Sequence, residues 1–234
     1  SAPRAPEAMP AGDALRGTRI GYVPEHAEGL QPAVRAALDE TKARLQAAGA
    51  TLVPVRLPHE RFAVAVYYVI GTGEASSNLS RMDGIRFGHR ATDAAELRAI
   101  YGRSRAEGFG AEAKRRIMLG TYVLSTGYYD AYYKKAQQVR RLICRDYEQA
   151  FAACDAILGP ASPTTAFKLG EKLSDPLQMY LSDIFTIATN LAGVPGVSVP
   201  VAKDEAGLPI GMQLQGPMFS DARLMAIAAA VQRG

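Results

Sequence analysis

The fold is decided by residues 19–58, RIGYVPEHAEGLQPAVRAALDETKARLQAAGATLVPVRLP. The segment opens with RIGYV at 19–23 and closes with TLVPVRLP at 51–58, and each short apolar run predicts a strand. Between them, Pro32 is a favourable first helical residue, apolar side chains follow at helical spacing, and Gly49 is a typical helix stop. This order of strand, helix and strand predicts an α/β fold.

Further strands and helices follow along the chain. Residues from about 60 to 153 are mostly helical in pattern, and the clearest helix is predicted from Tyr129 to Ala153, with one apolar stripe that we expect in the core: Tyr132, Ala136, Val139, Ile143 and Tyr147. DAILGPAS at 155–162 predicts a buried strand, and Asp175-Pro176 predicts the start of a helix that ends near Gly193. SVPVA and PIGMQLQG then predict a strand pair, and a final helix is expected from about Ser220.

Composition places the chain among ordinary globular proteins. Of its 234 residues, 48% are apolar and 21% are charged, and the net charge of +4 is spread along helical segments, which favours solvated helix faces over an anionic partner. No apolar run reaches the roughly 18 residues of a membrane span, and Cys144 and Cys154 have neither metal nor disulfide spacing. We therefore expect a cytoplasmic protein. Residues 1–15, rich in Ala and Pro, predict a linker from a preceding region.

Asp183 is the one charged residue between Pro176 and Ala202, and the pattern places it in the middle of an apolar helix. An unpaired buried carboxylate costs several kcal/mol, so a cation or strong donors are expected to meet it. The alternative is that Asp183 lines a solvated groove, and the pattern alone does not decide between the two.

Arg116 stands at a similar boundary, where the cationic run 114–116 stops against a charge-free stretch from Ile117 to Tyr129. Taken by itself, this pattern is more typical of a helix end with a snorkelling arginine than of a ligand site. Together, however, an arginine and an aspartate in apolar surroundings are suited to the carboxylate and the ammonium of an α-amino acid.

Four segments carry a specific resemblance. They are GEASSNLSRMDGIRFGHR (73–90), EGFGAEAKRRIMLGTYVLSTGYYDAYYKKAQQVR (107–140), ILGPASPTTAFKLGE (157–171) and DPLQMYLSDIFTIATNLAGVPGVSVP (175–200). In this order they resemble the C-terminal half of the A subunits of glutamyl-tRNA(Gln) amidotransferases, which belong to the amidase signature family. The resemblance extends from about Arg16 to the end of the chain. It implies a mixed central sheet covered by helices, of which residues 16–234 form the C-terminal part.

The resemblance also implies a function. In that family the glutaminase subunit hydrolyses glutamine and passes ammonia to a partner, which uses ATP and Mg to amidate Glu-tRNA(Gln) or Asp-tRNA(Asn). Matched by motif, the glutamine-binding residues fall on Arg116 of AKRRIM, Asp183 of YLSDIFT and Tyr67 of AVYYVIG. The implied partners are glutamine and the B and C subunits, with the misacylated tRNA bound mainly by the B subunit. No cofactor, metal or membrane contact is expected of this chain.

The chain departs from the family at the nucleophile. The family uses a serine nucleophile, a second serine and a lysine in a Gly/Ser-rich segment, and no such segment is present in these 234 residues. Ser76-Ser77 lacks the Gly-rich context of an oxyanion hole, so we assign it to structure. His26, His59 and His89 have no partners at metal or triad spacing, and each is predicted to be a surface residue. We therefore expect this chain to be inactive alone.

Two alternatives remain. The chain could belong to an amidase signature hydrolase that acts on another amide, although the pairing of Arg116 with Asp183 argues for an amino acid. It could also be a non-catalytic binding or assembly module.

Overall fold

The computed structural model describes residues 15–171 and 182–233. The chain divides into two compact units, unit 1 from 1–64 and 141–234 and unit 2 from 65–140. The predicted linker lies outside the described residues except for Leu15, and the helix start predicted at Asp175-Pro176 lies outside them entirely. Leu15 is 6% exposed and belongs to the core of unit 1, so the packed structure begins before the predicted boundary at residue 16.

Unit 1 is built on a mixed five-stranded sheet. Its strands are β1 (Arg19–Tyr22), β2 (Thr51–Pro54), β3 (Ala156–Pro160), β4 (Gly196–Lys203) and β5 (Pro209–Gln215), in the spatial order β2-β1-β3-β5-β4. Strand β1 is parallel to β2 and β3, whereas β5 is antiparallel to β3 and β4. The predicted α/β class is confirmed. The strand predicted over 51–58 was too long, because the pairing of β1 with β2 ends where Tyr22 meets Pro54.

Helices cover both faces of this sheet. Helices α1 (Pro32–Ala47) and α7 (Asp221–Arg233) contribute side chains to the apolar core together with Met212 and Leu214 of β5. Side chains alternate along a strand, so Gln213 and Gln215 point to the opposite face. There they contact α6 (Ile184–Ala192). The sheet therefore has one apolar face and one face that carries buried amides.

Unit 2 is helical. It contains most of α2 (Ala63–Leu79), α3 (Leu97–Gly108) and α4 (Ala111–Val123), followed by a π-helical stretch at Tyr129–Lys134. Helices α2 and α4 are in close contact at Gly120, where an added Cβ would lie 2.0 Å from the carbonyl oxygen of Thr72. Only glycine is compatible with this crossing.

The long helix predicted from Tyr129 to Ala153 is observed in two parts, the π-helical stretch and α5 (Lys135–Ala153). Ala136, Ile143 and Tyr147 are buried as predicted, but Tyr132 is 49% exposed and its place in the core was wrong. The π-helical stretch explains the difference. Its wider turn shifts the register of side chains, so positions spaced for an α-helix no longer share one face.

Candidate functional site

The crossing at Gly120 positions Arg116 beside two tyrosines in unit 2. Arg116 precedes Gly120 by one turn of α4, and Tyr68 precedes Thr72 by one turn of α2. The phenols of Tyr67 and Tyr68 lie within electrostatic range of the Arg116 guanidinium and act to raise its pKa. The structure thus brings together two of the three predicted site residues, Arg116 and Tyr67.

Glu112 holds the guanidinium of Arg116. Its Oε1 accepts a hydrogen bond from Arg116 Nε at 3.1 Å, and the arginine side chain remains 41% exposed. Partial burial acts to lower the pKa of Arg116, but the bond to Glu112 and the neighbouring Tyr67 phenol outweigh it and raise that pKa. The helix continues to Val123, so Arg116 is not at a helix end. Glu112 was missed in the sequence, although its i, i+4 spacing to Arg116 is a recognisable signal.

Tyr67 is half-buried and its ring is firmly packed. The ring meets Tyr68 edge-on, with centroids 5.2 Å apart and planes at 77°. A Cβ at Gly71 would lie 3.2 Å from the ring, so the small residue leaves the space that the ring fills. The ring of Tyr67 can therefore serve in packing while its hydroxyl group serves in function.

Asp183 belongs to unit 1, where it is the N-cap residue of α6. Its backbone oxygen accepts hydrogen bonds from the amides of Thr186 and Ile187 at 3.0 and 3.2 Å, while its side chain makes no capping bond to the helix. The residue is exposed. The predicted mid-helix position was therefore wrong, because α6 begins at Ile184. Of the two environments that the sequence left open, the exposed one is observed. An exposed carboxylate needs no buried cation, and among the described residues none forms an ion pair with it.

A cavity of about 640 Å³ opens in unit 1 next to the start of α6. Its lining includes Ile184 and Phe185, which follow Asp183 in sequence, and also His26 and Glu60. His26 Nε2 and Glu60 Oε2 are 2.6 Å apart, and His26 is only 7% exposed. The prediction that His26 is a surface residue was wrong.

The other two histidines also have carboxylate partners. Asp146, which is 4% exposed, accepts a hydrogen bond from the backbone amide of His59 at 2.8 Å and pairs with its Nδ1 at 2.9 Å. His89 Nε2 lies 2.7 Å from Glu107, and both of these side chains remain about half exposed. His89 therefore matches the predicted surface position, and His59 is partly exposed, with 34% of its side chain accessible. These partners are distant in sequence, so no spacing rule could have found them.

The described residues were also compared with the requirements of a metal site and of a membrane span. Residues 15–171 and 182–233 contain no group of three His, Cys, Asp or Glu side chains arranged to hold a metal ion. In the same residues no helix is long and apolar enough to cross a bilayer.

Ser76 Oγ lies 3.1 Å from the hydroxyl of Thr121 on α4, in keeping with a structural role. Cys144 and Cys154 are both free thiols.

The fold agrees with comparisons to known proteins. The model of the Amidase family matches residues 2–225, and the chain belongs to that family. Within it, the chain is 57% identical over 220 residues to the A subunit of glutamyl-tRNA(Gln) amidotransferase from Cupriavidus necator, a match that covers 94% of this chain and 44% of the relative. The corresponding protein of Thiobacillus denitrificans is 56% identical, with 94% and 45% covered.

Solved structures give the same result. The crystal structure of the A subunit of glutamyl-tRNA(Gln) amidotransferase from Thermotoga maritima matches with a TM-score of 0.71 and 38% identity, over 94% of this chain and 43% of that one. A peptide amidase from Stenotrophomonas maltophilia matches at 22% identity with a TM-score of 0.66, over 94% of this chain and 43% of its own, and this likeness shows the fold alone. The predicted resemblance to the A subunits is confirmed, and the chain spans a little under half the length of these relatives.

Proposed function

We propose that this chain is the glutamine-binding part of the glutaminase subunit of a tRNA-dependent amidotransferase. The observation that carries the proposal is the position of Arg116. Its guanidinium is partly exposed, held by Glu112 and within electrostatic range of the phenol of Tyr67. Identity of more than half of the aligned residues to A subunits of glutamyl-tRNA(Gln) amidotransferases supports the same substrate.

Each proposed contact uses the chemistry of its side chain. Arg116 binds the α-carboxylate of glutamine, because a guanidinium offers two parallel donors that match a carboxylate. Asp183 binds the α-ammonium, and its exposed carboxylate is not occupied by a cap to its own helix. Tyr67 donates from its hydroxyl to the substrate.

The remaining steps are assigned to residues and chains outside this sequence. A serine nucleophile, a second serine that transfers the proton and a lysine hydrolyse the amide, and the 234 residues alone are inactive. The ammonia passes to a partner subunit that binds ATP and Mg and amidates Glu-tRNA(Gln) or Asp-tRNA(Asn). That B subunit, together with a C subunit, completes a cytoplasmic heterotrimer, and the tRNA is bound mainly by the B subunit.

The sharpest test compares neighbouring arginines in the natural polypeptide that contains these residues. Arg115 and Arg116 both pair with Glu112, at 2.8 and 3.1 Å, and both are partly exposed. By calorimetry, Arg116→Ala is expected to weaken glutamine binding by about tenfold to a hundredfold, the equivalent of about 1.5–3 kcal/mol for a charged hydrogen bond. Arg115→Ala is the matched control and is expected to retain affinity.

Three results would contradict the proposal. Equal affinity in the Arg116→Ala and Arg115→Ala variants would remove Arg116 from the binding site. Hydrolysis of another amide in preference to glutamine by the natural polypeptide would favour a different amidase. If the natural polypeptide binds partner subunits but neither binds nor hydrolyses glutamine, it is an assembly module instead.

A further inference from the structure

Two buried glutamines of strand β5 form hydrogen bonds with the first turns of α6. Gln213 is 6% exposed, and its Nε2 donates to the backbone oxygen of Phe185 at 3.0 Å. Gln215 is 2% exposed, and its Nε2 donates to Thr189 Oγ1 at 2.8 Å. A buried amide that lost such a bond would leave a polar group unsatisfied, so both contacts hold the helix to the sheet.

The two contacts differ in their distance from Asp183. Phe185 is only two residues beyond Asp183, within the first turn of α6, whereas Thr189 lies more than a turn further along. The ring of Phe185 also packs against His26, with centroids 5.1 Å apart. Gln213 therefore acts on the end of α6 that carries Asp183, and Gln215 acts on its middle.

The backbone of Asp183 is part of the same turn. Its carbonyl oxygen accepts from the Thr186 and Ile187 amides, and the Thr186 hydroxyl also donates to it at 3.1 Å. A shift of Phe185 would consequently move Asp183. Its side chain, in contrast, makes no capping bond to the helix that would restore its position.

We propose that Gln213 is a positioning residue that sets the location of the Asp183 carboxylate and thereby the preference of the protein for a ligand with an α-ammonium group. This inference rests on the proposed function, in which Asp183 binds that group. Charged contacts are sensitive to small displacements, since an error of about 1 Å in placement can change a rate a hundredfold.

The test compares glutamine with glutaramate, which is glutamine without its α-amino group. In the natural polypeptide, the ratio of the two affinities is measured for wild type, Gln213→Met, Gln215→Met and Asp183→Asn. Methionine keeps a similar length without the amide. Gln213→Met is expected to reduce the preference for glutamine by about tenfold with little change for glutaramate. Gln215→Met is expected to lower stability but keep the preference.

The outcomes separate the two proposals. If Asp183→Asn abolishes the preference and Gln213→Met retains it, the positioning role is wrong and the proposed function stands. Equal loss of preference in the Gln213→Met and Gln215→Met variants would show a structural role only. If wild type binds both ligands equally, the role of Asp183 fails, and the positioning role fails with it. Should Gln213→Met not fold, Gln213→Asn retains a polar side chain too short to reach Phe185 and is subject to the same criteria.

Discussion

A Cβ atom on Gly120 would lie 2.0 Å from the carbonyl oxygen of Thr72. It would also meet the Thr72 carbonyl carbon and the Ser76 Cβ at 2.6 Å. The obstacle is mainly helix backbone, which cannot move aside as a flexible side chain can. This contact requires glycine where α2, which carries Tyr67, meets α4, which carries Arg116.

Replacement of Gly120 by alanine is expected to force these helices apart. Overpacking of this kind lowers the free energy of unfolding by about 1–3 kcal/mol or more, and urea denaturation measures it. Gly102 in α3 is the matched control, because nothing lies within 4 Å of an added Cβ there. Gly102→Ala is expected to stabilise the protein by about 0.5–1 kcal/mol, since alanine is the better helix former. Equal effects at the two positions would contradict the close crossing.

Removal of the Tyr67 hydroxyl distinguishes a role of this residue in packing from a role in glutamine binding. Tyr67→Phe keeps the ring that meets Tyr68 and fills the space at Gly71, so stability is expected to change little. If the hydroxyl binds glutamine, calorimetry of the natural polypeptide will show an affinity lower by about fivefold to tenfold, the equivalent of one hydrogen bond. Tyr129→Phe, at an exposed position, is the control. Unchanged affinity in Tyr67→Phe would leave Tyr67 with a packing role alone.

The stability of unit 1 is expected to depend on Asp155 in a pH-dependent way. Its carboxylate accepts from the Arg19 backbone amide at 2.8 Å, and the side chains of Arg19 and Arg223 lie 3.2 and 3.4 Å away. Burial acts to raise the pKa of Asp155, but the Arg19 hydrogen bonds and the charge of Arg223 outweigh it, so that pKa lies below its ordinary value.

The lowered pKa of Asp155 determines how the stability of the protein changes with pH. A lowered folded-state pKa stabilises the protein above the unfolded-state pKa of about 4, and the effect disappears as the pH falls through the folded-state pKa. Asp155→Asn is therefore expected to reduce the free energy of unfolding at pH 7, and the difference from wild type should shrink below about pH 4. Asp39→Asn, which removes an exposed pair with Arg35, is expected to have little effect at either pH. A difference that is constant with pH would contradict the role of Asp155.

Local patterns were sufficient for much of the fold. The first strand, the helix from Pro32, the buried strand at 156–160 and the pair β4 and β5 were all predicted near their observed positions. Gly49 and Gly193, both with positive φ, follow the helices that they were predicted to end. Such features depend on alternation, helical spacing and terminal residues, which a sequence displays directly.

The errors occurred where one local detail altered the geometry. The π-helical stretch before Lys135 changed the register of Tyr132. Asp183 is an exposed N-cap, where a mid-helix position was predicted, because α6 begins at Ile184. Tyr132 does lie in a helical segment, and Asp183 directly precedes α6, so each residue is in or next to the element predicted for it. A change in where a helix begins or widens was enough to alter the environment of each residue.

The sequence by itself determined the class of fold, the family and the isolation of Arg116 and Asp183 beside charge-free stretches of the chain, because composition, periodicity and motifs are properties of neighbouring residues. Only the tertiary structure decided that Tyr67 is within electrostatic range of Arg116, that Gly120 allows α2 and α4 to meet, and that Gln213 is bonded to Phe185. These pairs are far apart in the chain. They meet through helix crossings and sheet pairing, and their contacts depend on packing that no local pattern encodes.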